Sequence, residues 1–331
     1  MKNFKLIQLV TLLLAVILFG AACLSVGNPV VQAYTDPAQT PALQEKEAPL
    51  TWLTLPEEYQ LTGRNYFVYH VNSQQFVVRS NVETTRVYPA SITKLFTIYV
   101  ALQYVTTETK VTVGEEIKMI DPDSTVAGLQ VGDVVTVEQL IGGLLLPSGN
   151  DAAYAMAAAV GRVISGAPSM EGGEAVQVFV KEMNRKAQQL GMKGSHFGNP
   201  DGIHQADHYF SLEDMAMLGQ LALQTPQIMA YAQQSSVTTT MNGRVKRWEN
   251  TNKLLHESGE FYCPYSIGLK TGRTNAAGNC LLSAFQKDDQ IWVVGVYGCP
   301  EGADRFEDTI HLFNRALSYW EGTVDVKTYI Q

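Results

Sequence analysis

The 331-residue chain has few cysteines and no excess of positive charge, with four cysteines and a formal net charge of −8 at pH 7. Nucleic-acid-binding proteins usually carry the opposite charge balance, so a nucleic-acid partner is not expected. Cys263, Cys280 and Cys299 lie beyond the N-terminal region, and their spacing does not resemble a metal site. We expect buried thiols there, with one disulfide as the alternative. No internal repeat is visible, so a repeat architecture is not indicated.

A long apolar run occurs at the N-terminus. Lys2 and Lys5 begin a chain that continues LIQLVTLLLAVILFGAACLSV, and residues 31–33 supply small side chains for cleavage. This pattern predicts a signal peptide over residues 1–33 and a mature chain that begins at Tyr34. Because a membrane span needs about 20 apolar residues, a retained N-terminal membrane anchor is the alternative. We therefore expect an exported protein, extracellular or in the cell envelope.

The rest of the chain divides into a linker and one folded domain. Residues 34–60 are rich in proline and charge, which indicates a linker. The domain, residues 61–331, begins with NYFVYHVNSQQFVVRS, in which two β-rich runs flank a turn at Asn72-Ser73. Strand patterns return near the C-terminus in YSIGLKTG, NCLLSAFQ and QIWVVGVYG. We predict a mixed α/β fold: an antiparallel sheet built from both ends of the domain, flanked by helices, with an inserted helical subdomain.

Helical patterns fill the middle of the domain. Apolar residues in ITKLFTIYVALQYV, residues 92–105, mostly share one face and predict a buried helix just after Pro89-Ala90-Ser91. Thr136 is a candidate N-cap, and Ser211 with Asp214 resembles a capping box. Further predicted helices are NDAAYAMAAAVGRVI, GEAVQVFVKEMNRKAQQLG and the closing ADRFEDTIHLFNRALSYW.

Three short stretches follow one another in an order that chance rarely produces. Ser91 and Lys94 are three residues apart at a predicted helix start, where residues i and i+3 are neighbours. Ser148-Gly149-Asn150 lies in a predicted loop, and Lys270-Thr271-Gly272 ends a predicted strand. Each stretch alone has an ordinary structural explanation, such as Asn150 capping a helix. Together they indicate a serine hydroxyl activated by a lysine, since a serine nucleophile needs a base.

In these motifs the chain resembles the D-alanyl-D-alanine carboxypeptidases, the low-molecular-mass penicillin-binding proteins of the serine-lysine acyl-enzyme superfamily. The similarity extends over PASITKLFT, LLLPSGNDAAYAMA, GNPDGIHQADHYFSLEDMAML and GLKTGRTNAAGNCLL, in the order of that family's blocks. The resemblance implies a β-lactamase/transpeptidase-like fold and a serine-type enzyme that removes the terminal D-alanine from peptidoglycan pentapeptides. Peptidoglycan stem peptides would be its substrates and β-lactam antibiotics its covalent inhibitors, with neither a metal nor a cofactor.

The resemblance also implies a role for each motif residue. Ser91 would be the acylated nucleophile and Lys94 its proton acceptor, with burial and a nearby cation such as Lys270 lowering the lysine pKa. Ser148 would relay a proton to the leaving amine, and Asn150 would hold the substrate backbone.

The remaining motif residues would bind the acyl donor's carbonyl and carboxylate. Lys270 and Thr271 would bind the terminal carboxylate, which a cation and a hydroxyl suit. The oxyanion would lie between the N–H of Ser91 and that of Arg273, which follows Gly272. Relatives usually have an aromatic residue or histidine at the position of Arg273, so substrate preference can differ. Arg305 is either a structural ion-pair partner or a helper of carboxylate binding.

Other residues and functions have simpler or less supported interpretations. His204 and His208 have a spacing that a metal could use, but no third ligand is apparent. Glu182, in the acidic-looking Glu-Met-Asn stretch, is interpreted as the solvated face of an amphipathic helix. The competing functions are a β-lactamase, for which no deacylating glutamate is visible, a non-catalytic penicillin-acylated sensor, and an endopeptidase or transpeptidase acting on cross-links.

Overall fold

The structure, a computed structural model, describes residues 61–80 and 86–322. The predicted signal peptide and linker, residues 1–60, lie outside the described residues. Within the described ranges no helix combines the length and the apolar character that crossing a membrane requires.

Five antiparallel strands from the two ends of the domain form the central sheet. Its spatial order is β2-β1-β9-β8-β7, which confirms the predicted antiparallel sheet assembled from both ends. The turn predicted at Asn72-Ser73 joins β1 to β2. The strands are β1 Asn65–His70, β2 Gln75–Arg79, β7 Ser266–Thr274, β8 Gly278–Lys287 and β9 Gln290–Cys299.

The two central strands of the sheet, β8 and β9, are buried over most of their length. Because helices cover both faces of the sheet, these strands are continuously apolar rather than alternating. On one face Phe285 stacks on Phe313 of the closing helix, with ring centroids 4.2 Å apart. On the other face Val293 lies against Gly219, where an added Cβ would approach within 2.5 Å of its side chain. The sheet therefore separates two hydrophobic cores.

Seven α-helices surround the sheet in the described part of the chain. The first one is preceded by a 3₁₀ turn, Ala90–Ile92, and ends at Ala101, four residues before the predicted end, because residues 102–105 form turns. The helices are α1 Thr93–Ala101, α2 Val137–Leu145, α3 Asn150–Ser165, α4 Gly172–Gln189, α5 Leu212–Leu223, α6 Pro226–Ala232 and α7 Asp304–Trp320.

The two predicted helix caps differ in outcome. Thr136 caps α2 and forms a complete capping box with Gln139. Ser211 caps α5 by accepting from the Asp214 N–H at 3.1 Å. The Asp214 carboxylate does not complete the box, because it accepts from the Gly194 N–H and the Ser195 hydroxyl. Asp214 therefore fastens the preceding loop to α5.

Two small antiparallel ribbons were not predicted. One pairs β3, Lys110–Thr112, with β4, Val134–Thr136. The other pairs β5, Ser236–Met241, with β6, Arg244–Glu249, across an Asn-Gly turn. Asn-Gly is the strongest short hairpin signal in a sequence, so β5 and β6 were predictable.

The prediction of buried thiols is confirmed for Cys263, Cys280 and Cys299, each of which is a free cysteine, so the alternative of a disulfide among these three does not hold. The prediction that Glu182 lies on a solvated face is wrong. Its side chain is buried, and its carboxylate binds Arg185 at 2.6 Å and the hydroxyl of Tyr104. Periodicity along one helix does not reveal the tyrosine that covers that carboxylate.

Candidate active site

Ser91 lies in the 3₁₀ turn at the entrance to α1, between a loop and the edge strand β7. Gly272 of β7 approaches so closely that an added Cβ would lie 2.8 Å from the Pro89 carbonyl oxygen and 3.2 Å from the Ser91 nitrogen. On the opposite side a Cβ at Gly202 would collide with the Ala90 carbonyl. These two glycines therefore allow three chain segments to meet at Ser91.

Strained backbone adjoins each of the three motifs. Six non-glycine residues of the described ranges have positive φ, and three of them (Gln74, Asn242 and Asp288) lie in hairpin turns. The other three are Ala90 (φ 49°), Ser148 (φ 63°) and Leu269 (φ 89°), which precede Ser91, begin the Ser-Gly-Asn stretch and precede Lys270. Left-handed conformations at such residues store strain and concentrate at functional sites. The three sequence motifs therefore share a backbone property that the sequence did not show.

Lys94 is the centre of the hydrogen-bond network. Its side chain is fully buried, and Nζ donates to Ser91 Oγ at 2.8 Å, as the spacing predicted. Nζ also donates to Asn150 Oδ1 at 2.7 Å and to the Asp201 main-chain oxygen at 2.8 Å. Three acceptors match the three donors of an ammonium. The arrangement unites α1, the start of α3 and the loop that contains Asp201.

Burial is the main cause of the lowered pKa of Lys94. It lowers the lysine pKa to about 8, while the carboxylates of Asp201 and Asp151 oppose the shift. A pKa of about 8 leaves roughly a tenth of the side chain neutral at pH 7. The lowering expected from Lys270 is not among these causes, whereas the charge of Lys94 lowers the pKa of Lys270. Lys94 can therefore serve as a base without a large change in its surroundings.

Ser148 and Asn150 flank Gly149, the N-cap of α3. Asn150 is thus the first residue of the helix and not its cap. Its side chain is engaged at both ends, since Oδ1 accepts from Lys94 and Nδ2 donates to Ser124 Oγ at 2.8 Å. The Ser148 carbonyl accepts from Thr125 Oγ1 at 2.8 Å. The Ser-Gly-Asn stretch is therefore fixed to Lys94 on one side and to residues 124–125 on the other.

Asp151 holds the loop that forms this side of the site. Its buried carboxylate accepts from the N–H groups of Ala127, Gly128 and Leu129 at 2.7–2.9 Å, as well as from that of Ala152. These N–H groups occupy both carboxylate oxygens, two on Oδ1 and two on Oδ2. Asp151 therefore fixes the main chain of residues 127–129 at one edge of the site, and both of its carboxylate oxygens are used in these hydrogen bonds.

The strand β7 provides the opposite wall. Lys270 is 1% exposed, and its Nζ donates to the Thr271 carbonyl at 3.0 Å. The Thr271 hydroxyl forms a 2.6 Å hydrogen bond with the hydroxyl of Thr251. Burial, together with the charges of Lys94 and Arg305, holds the pKa of Lys270 well below its usual value. An anion bound here would reverse that effect, because it favours the ammonium.

The two arginines of this wall have different environments. Arg273 is exposed at the end of β7. Arg305, on α7, donates to the Gly272 carbonyl at 3.2 Å, and burial lowers its pKa. Among the described residues Arg305 forms no ion pair, which removes the structural ion-pair interpretation and leaves a cation directly behind β7.

The two histidines considered as metal ligands have different partners. His208 is buried, with Nε2 2.9 Å from Thr93 Oγ1 and Nδ1 accepting from the Gly198 N–H at 3.3 Å. Burial lowers its pKa to about 3, so the ring is neutral. The exposed His204 lies edge-on against Tyr88. No cluster of potential metal ligands occurs within residues 61–80 and 86–322.

Several residues in contact with the motifs were not predicted from the sequence, among them Ser124, Thr125, Asp151, Asp201 and Thr251. Asp151 directly follows the Ser-Gly-Asn stretch, and Asp201 lies in the Gly-Asn-Pro-Asp-Gly turn, but their contacts with the site do not follow from these sequence positions. Ser124 and Thr251 lie in loops without a motif, and only tertiary structure brings them to the site.

Comparison with known proteins gives relatives that are D-alanyl-D-alanine carboxypeptidases. DacF of Bacillus subtilis, a D-alanyl-D-alanine carboxypeptidase, is 30% identical over 241 residues, 71% of this chain and 57% of that protein. DacA of Haemophilus influenzae, with the same description, is 32% identical over 250 residues, 73% of this chain and 58% of that protein. The chain thus spans less than two thirds of the length of these relatives.

Solved structures with the same architecture include two bacterial proteins. The Streptomyces K15 DD-transpeptidase is 26% identical, with a TM-score of 0.71, 80% of this chain covered and 100% of that chain. Penicillin binding protein 6B from Escherichia coli is 26% identical, with a TM-score of 0.65 and coverage of 79% and 78%. These neighbours confirm the predicted β-lactamase/transpeptidase-like fold. Residues 53–298 match the D-alanyl-D-alanine carboxypeptidase family (peptidase S11), and the chain belongs to that family.

Proposed function

We propose that this protein is a serine-type D-Ala-D-Ala carboxypeptidase that removes the terminal D-alanine of peptidoglycan stem pentapeptides through an acyl-enzyme on Ser91. The observation that carries the proposal is the 2.8 Å hydrogen bond between Lys94 Nζ and Ser91 Oγ, with Nζ also bound to two carbonyl oxygens. β-Lactam antibiotics would acylate the same serine.

The partners of Lys94 support its role as proton acceptor. A neutral amine has two N–H groups and one lone pair. Asn150 Oδ1 and the Asp201 carbonyl can only accept, so they take the two N–H groups. Of the three partners, only the Ser91 hydroxyl can donate, so the lone pair is directed at it. Ser91 can then lose its proton to Lys94 as Oγ attacks the carbonyl carbon of the penultimate residue.

The oxyanion is best accommodated between Ser91 and β7. No hydrogen bond within the described residues occupies the Ser91 N–H, and Gly272 holds β7 beside that nitrogen. The N–H groups of Ser91 and Arg273 would together stabilise the negative charge that develops on the substrate carbonyl oxygen. Because both donors are main-chain groups, the unusual Arg273 side chain is compatible with the reaction.

Proton transfer and carboxylate binding complete the reaction. Ser148 would relay the proton from Lys94 to the leaving nitrogen, so that D-alanine departs as the amine while Ser91 keeps the acyl group. Lys270 and Thr271 would bind the carboxylate of the terminal residue, a charge-assisted interaction. Water then attacks the ester, and Ser91 Oγ leaves as the hydroxyl.

Transpeptidation is the second candidate, since one structural neighbour, the Streptomyces K15 protein, is a DD-transpeptidase. It uses the same acyl-enzyme with an amine as acceptor instead of water. The test is incubation of the purified protein with a pentapeptide ending in D-Ala-D-Ala, with and without an amino-acid acceptor. We expect release of free D-alanine and a tetrapeptide. A tetrapeptide joined to the acceptor amino acid as the dominant product would favour transpeptidation, and no D-alanine release in either case would overturn both.

The lifetime of the penicillin adduct separates the carboxypeptidase from a β-lactamase. The penicilloyl group stays tethered after ring opening and blocks the approach of water, so we expect one penicillin on the peptide containing Ser91, lasting minutes or more at neutral pH. Intact-protein mass spectrometry measures it. Loss of the adduct within about a second, with many penicillins consumed per protein, would identify a β-lactamase.

An exported location fits this substrate. The domain of residues 61–331 would then be joined by the linker of residues 34–60 to a signal peptide that ends at Ala33. N-terminal sequencing of the secreted protein is expected to start at Tyr34. A membrane-bound species that retains residues 1–33 would instead support the N-terminal anchor.

A further inference from the structure

Asp201 has an unused carboxylate oxygen in the interior of the site. The residue is 1% exposed, and its main-chain oxygen accepts from Lys94 Nζ at 2.8 Å. Carboxylate Oδ1 accepts from the Ile203 N–H at 3.2 Å, whereas Oδ2 has no hydrogen-bond partner among the described residues. A buried polar atom without a partner lowers stability, and such atoms in native proteins call for a functional explanation.

The turn that contains Asp201 is held rigidly against the catalytic residues. Asn199 closes it from both sides, because Oδ1 accepts from the Gly202 N–H at 2.7 Å and Nδ2 donates to the Ile203 carbonyl at 2.8 Å. The Pro200 carbonyl accepts from Thr97 of α1 at 2.6 Å. Since Gly202 also lies against Ala90, the Asp201 carboxylate keeps a fixed position relative to α1 and Lys94.

The charged and titratable groups around Lys94 come from four elements. Asp151 of α3 is negative, but its oxygens are taken by four N–H groups. Lys270 of β7 has its pKa lowered by burial and by the charge of Lys94, and His208 is neutral. Asp201 is the stronger of the two negative influences on Lys94.

Asp201 is itself surrounded by few groups that could replace Lys94 as a partner. It faces Lys94, the carboxylate of Asp121 and the phenol of Tyr154 on α3. Desolvation raises the pKa of Asp201, and Lys94 opposes that rise. Lys94 is thus the cation that stabilises the ionised form of Asp201, and each group stabilises the charge of the other.

We propose that Asp201 is a positioning residue for Lys94: its main-chain oxygen orients the amine, and its buried carboxylate, whose Oδ2 has no hydrogen-bond partner among the described residues, favours the ammonium form. This inference rests on the proposed serine-lysine mechanism and adds a residue to it. Asp201 keeps Lys94 protonated in the resting enzyme, which places the onset of base activity at higher pH than burial alone would.

The test is the pH profile of acylation by a fluorescent penicillin in Asp201→Asn. Removal of a negative charge beside Lys94 disfavours the ammonium, so the neutral base is present at lower pH. We expect the acidic limb of the acylation rate to move down by about one pH unit, which makes the variant about tenfold faster than wild type on the acidic side of the limb. No gain is expected at pH values where wild-type Lys94 is already neutral.

Two further variants distinguish charge from structure. Asn199→Ala disturbs the same turn and keeps the carboxylate, so we expect a lower rate at every pH with an unchanged midpoint. Asp201→Glu restores the charge and is expected to return the midpoint toward that of wild type. If Asp201→Asn does not fold, Asp201→Ser, which keeps an acceptor for the Ile203 N–H, takes its place with the same expected shift.

The outcomes separate this inference from the proposed function. A midpoint that is unchanged or higher in Asp201→Asn, or an equal downward shift in Asn199→Ala, overturns the role of Asp201 and leaves the carboxypeptidase proposal intact. Acylation by penicillin is measured without release of D-alanine, so failure of the carboxypeptidase activity would not affect the profile. Failure of wild-type Ser91 to be labelled at all would overturn both.

Discussion

The two walls of the site differ in how completely their polar groups are paired. The helical wall comprises Ser91, Lys94 and residues 148–150, and there Lys94 uses all three of its donors. The strand wall comprises residues 270–273. Lys270 has one hydrogen bond, to a carbonyl oxygen, and forms no ion pair with any described residue.

This difference in pairing indicates that the helical wall performs the proton transfer and that the strand wall binds the substrate carboxylate. In the helical wall the hydrogen bonds between Lys94, Ser91 and Asn150 that proton transfer needs are present without a substrate, so this wall is preorganised. The strand wall places the buried amine of Lys270 in front of the Arg305 cation, and an anion that binds there favours the ammonium form of Lys270. Changes in the helical wall should therefore affect every acyl donor, whereas changes in Lys270 and Thr271 of the strand wall should mainly affect donors with a free carboxylate.

The largest expected effect follows from Ser91→Ala. Loss of the hydroxyl removes the acyl acceptor, so both turnover of the pentapeptide and covalent labelling by penicillin should be abolished, with the fold retained. Labelling followed by mass spectrometry, with circular dichroism for the fold, measures this. Ser165→Ala, at the exposed end of α3, is the matched control and should be labelled normally. More than a tenth of wild-type labelling in Ser91→Ala would contradict the assignment.

Lys94→Ala should slow acylation by several orders of magnitude for peptides and penicillins alike. Nucleophile and base act as a unit, so loss of the base removes most of what the serine contributes. Stopped-flow acylation rates provide the measurement, with Lys181→Ala on the exposed face of α4 as control. Retention of more than a tenth of the wild-type rate would assign the base to another residue.

Lys270→Gln should lower activity toward peptides that end in a carboxylate much more than activity toward the corresponding amides. A hydrogen bond to a charged group contributes about 1.5–3 kcal/mol, so we expect kcat/KM to fall about 10- to 150-fold for a peptide ending in a carboxylate and much less for its amide. Lys253→Gln, an exposed lysine near β7, is the control. Equal losses for acid and amide would show that Lys270 acts on Lys94 or on the fold.

The preference for the acid substrate over the amide should also depend on pH. Because the pKa of Lys270 is lowered, its ammonium is present at low pH and is lost as pH rises through that value. The preference of the wild type for the acid over the amide should therefore decline with rising pH, and Lys270→Gln should show no such decline. A preference that is constant with pH would indicate a permanently charged Lys270.

Thr251→Val is expected to have the smallest effect. It removes the 2.6 Å hydrogen bond to the Thr271 hydroxyl, a contribution of about 1 kcal/mol. KM for the acid substrate should rise about fivefold, with penicillin labelling still observed. Thr238→Val, at an exposed position of β5, should leave KM unchanged, and an unchanged KM in Thr251→Val would show that Thr271 needs no support.

The helical wall was largely predictable because its members are close in sequence. Ser91 and Lys94 are three residues apart in one helical segment, and residues 148–150 are consecutive. The contact between these two groups, the loop held by Asp151 and the carbonyl of Asp201 were not predictable, because they arise from packing of separate elements. Lys270 and Thr271 were identified by their motif, whereas Thr251 and the Arg305 contact with Gly272 depend on tertiary structure.

The position of β9 between β1 and β8 has a consequence for how the chain acquires its structure. Phe67 of β1 pairs with Gly295 of β9, and these residues are separated by roughly 230 positions, a strongly non-local contact that slows folding. An isolated hairpin such as β1–β2 is marginally stable in water. The first strands synthesised must therefore remain without their sheet partner until almost the whole domain has left the ribosome.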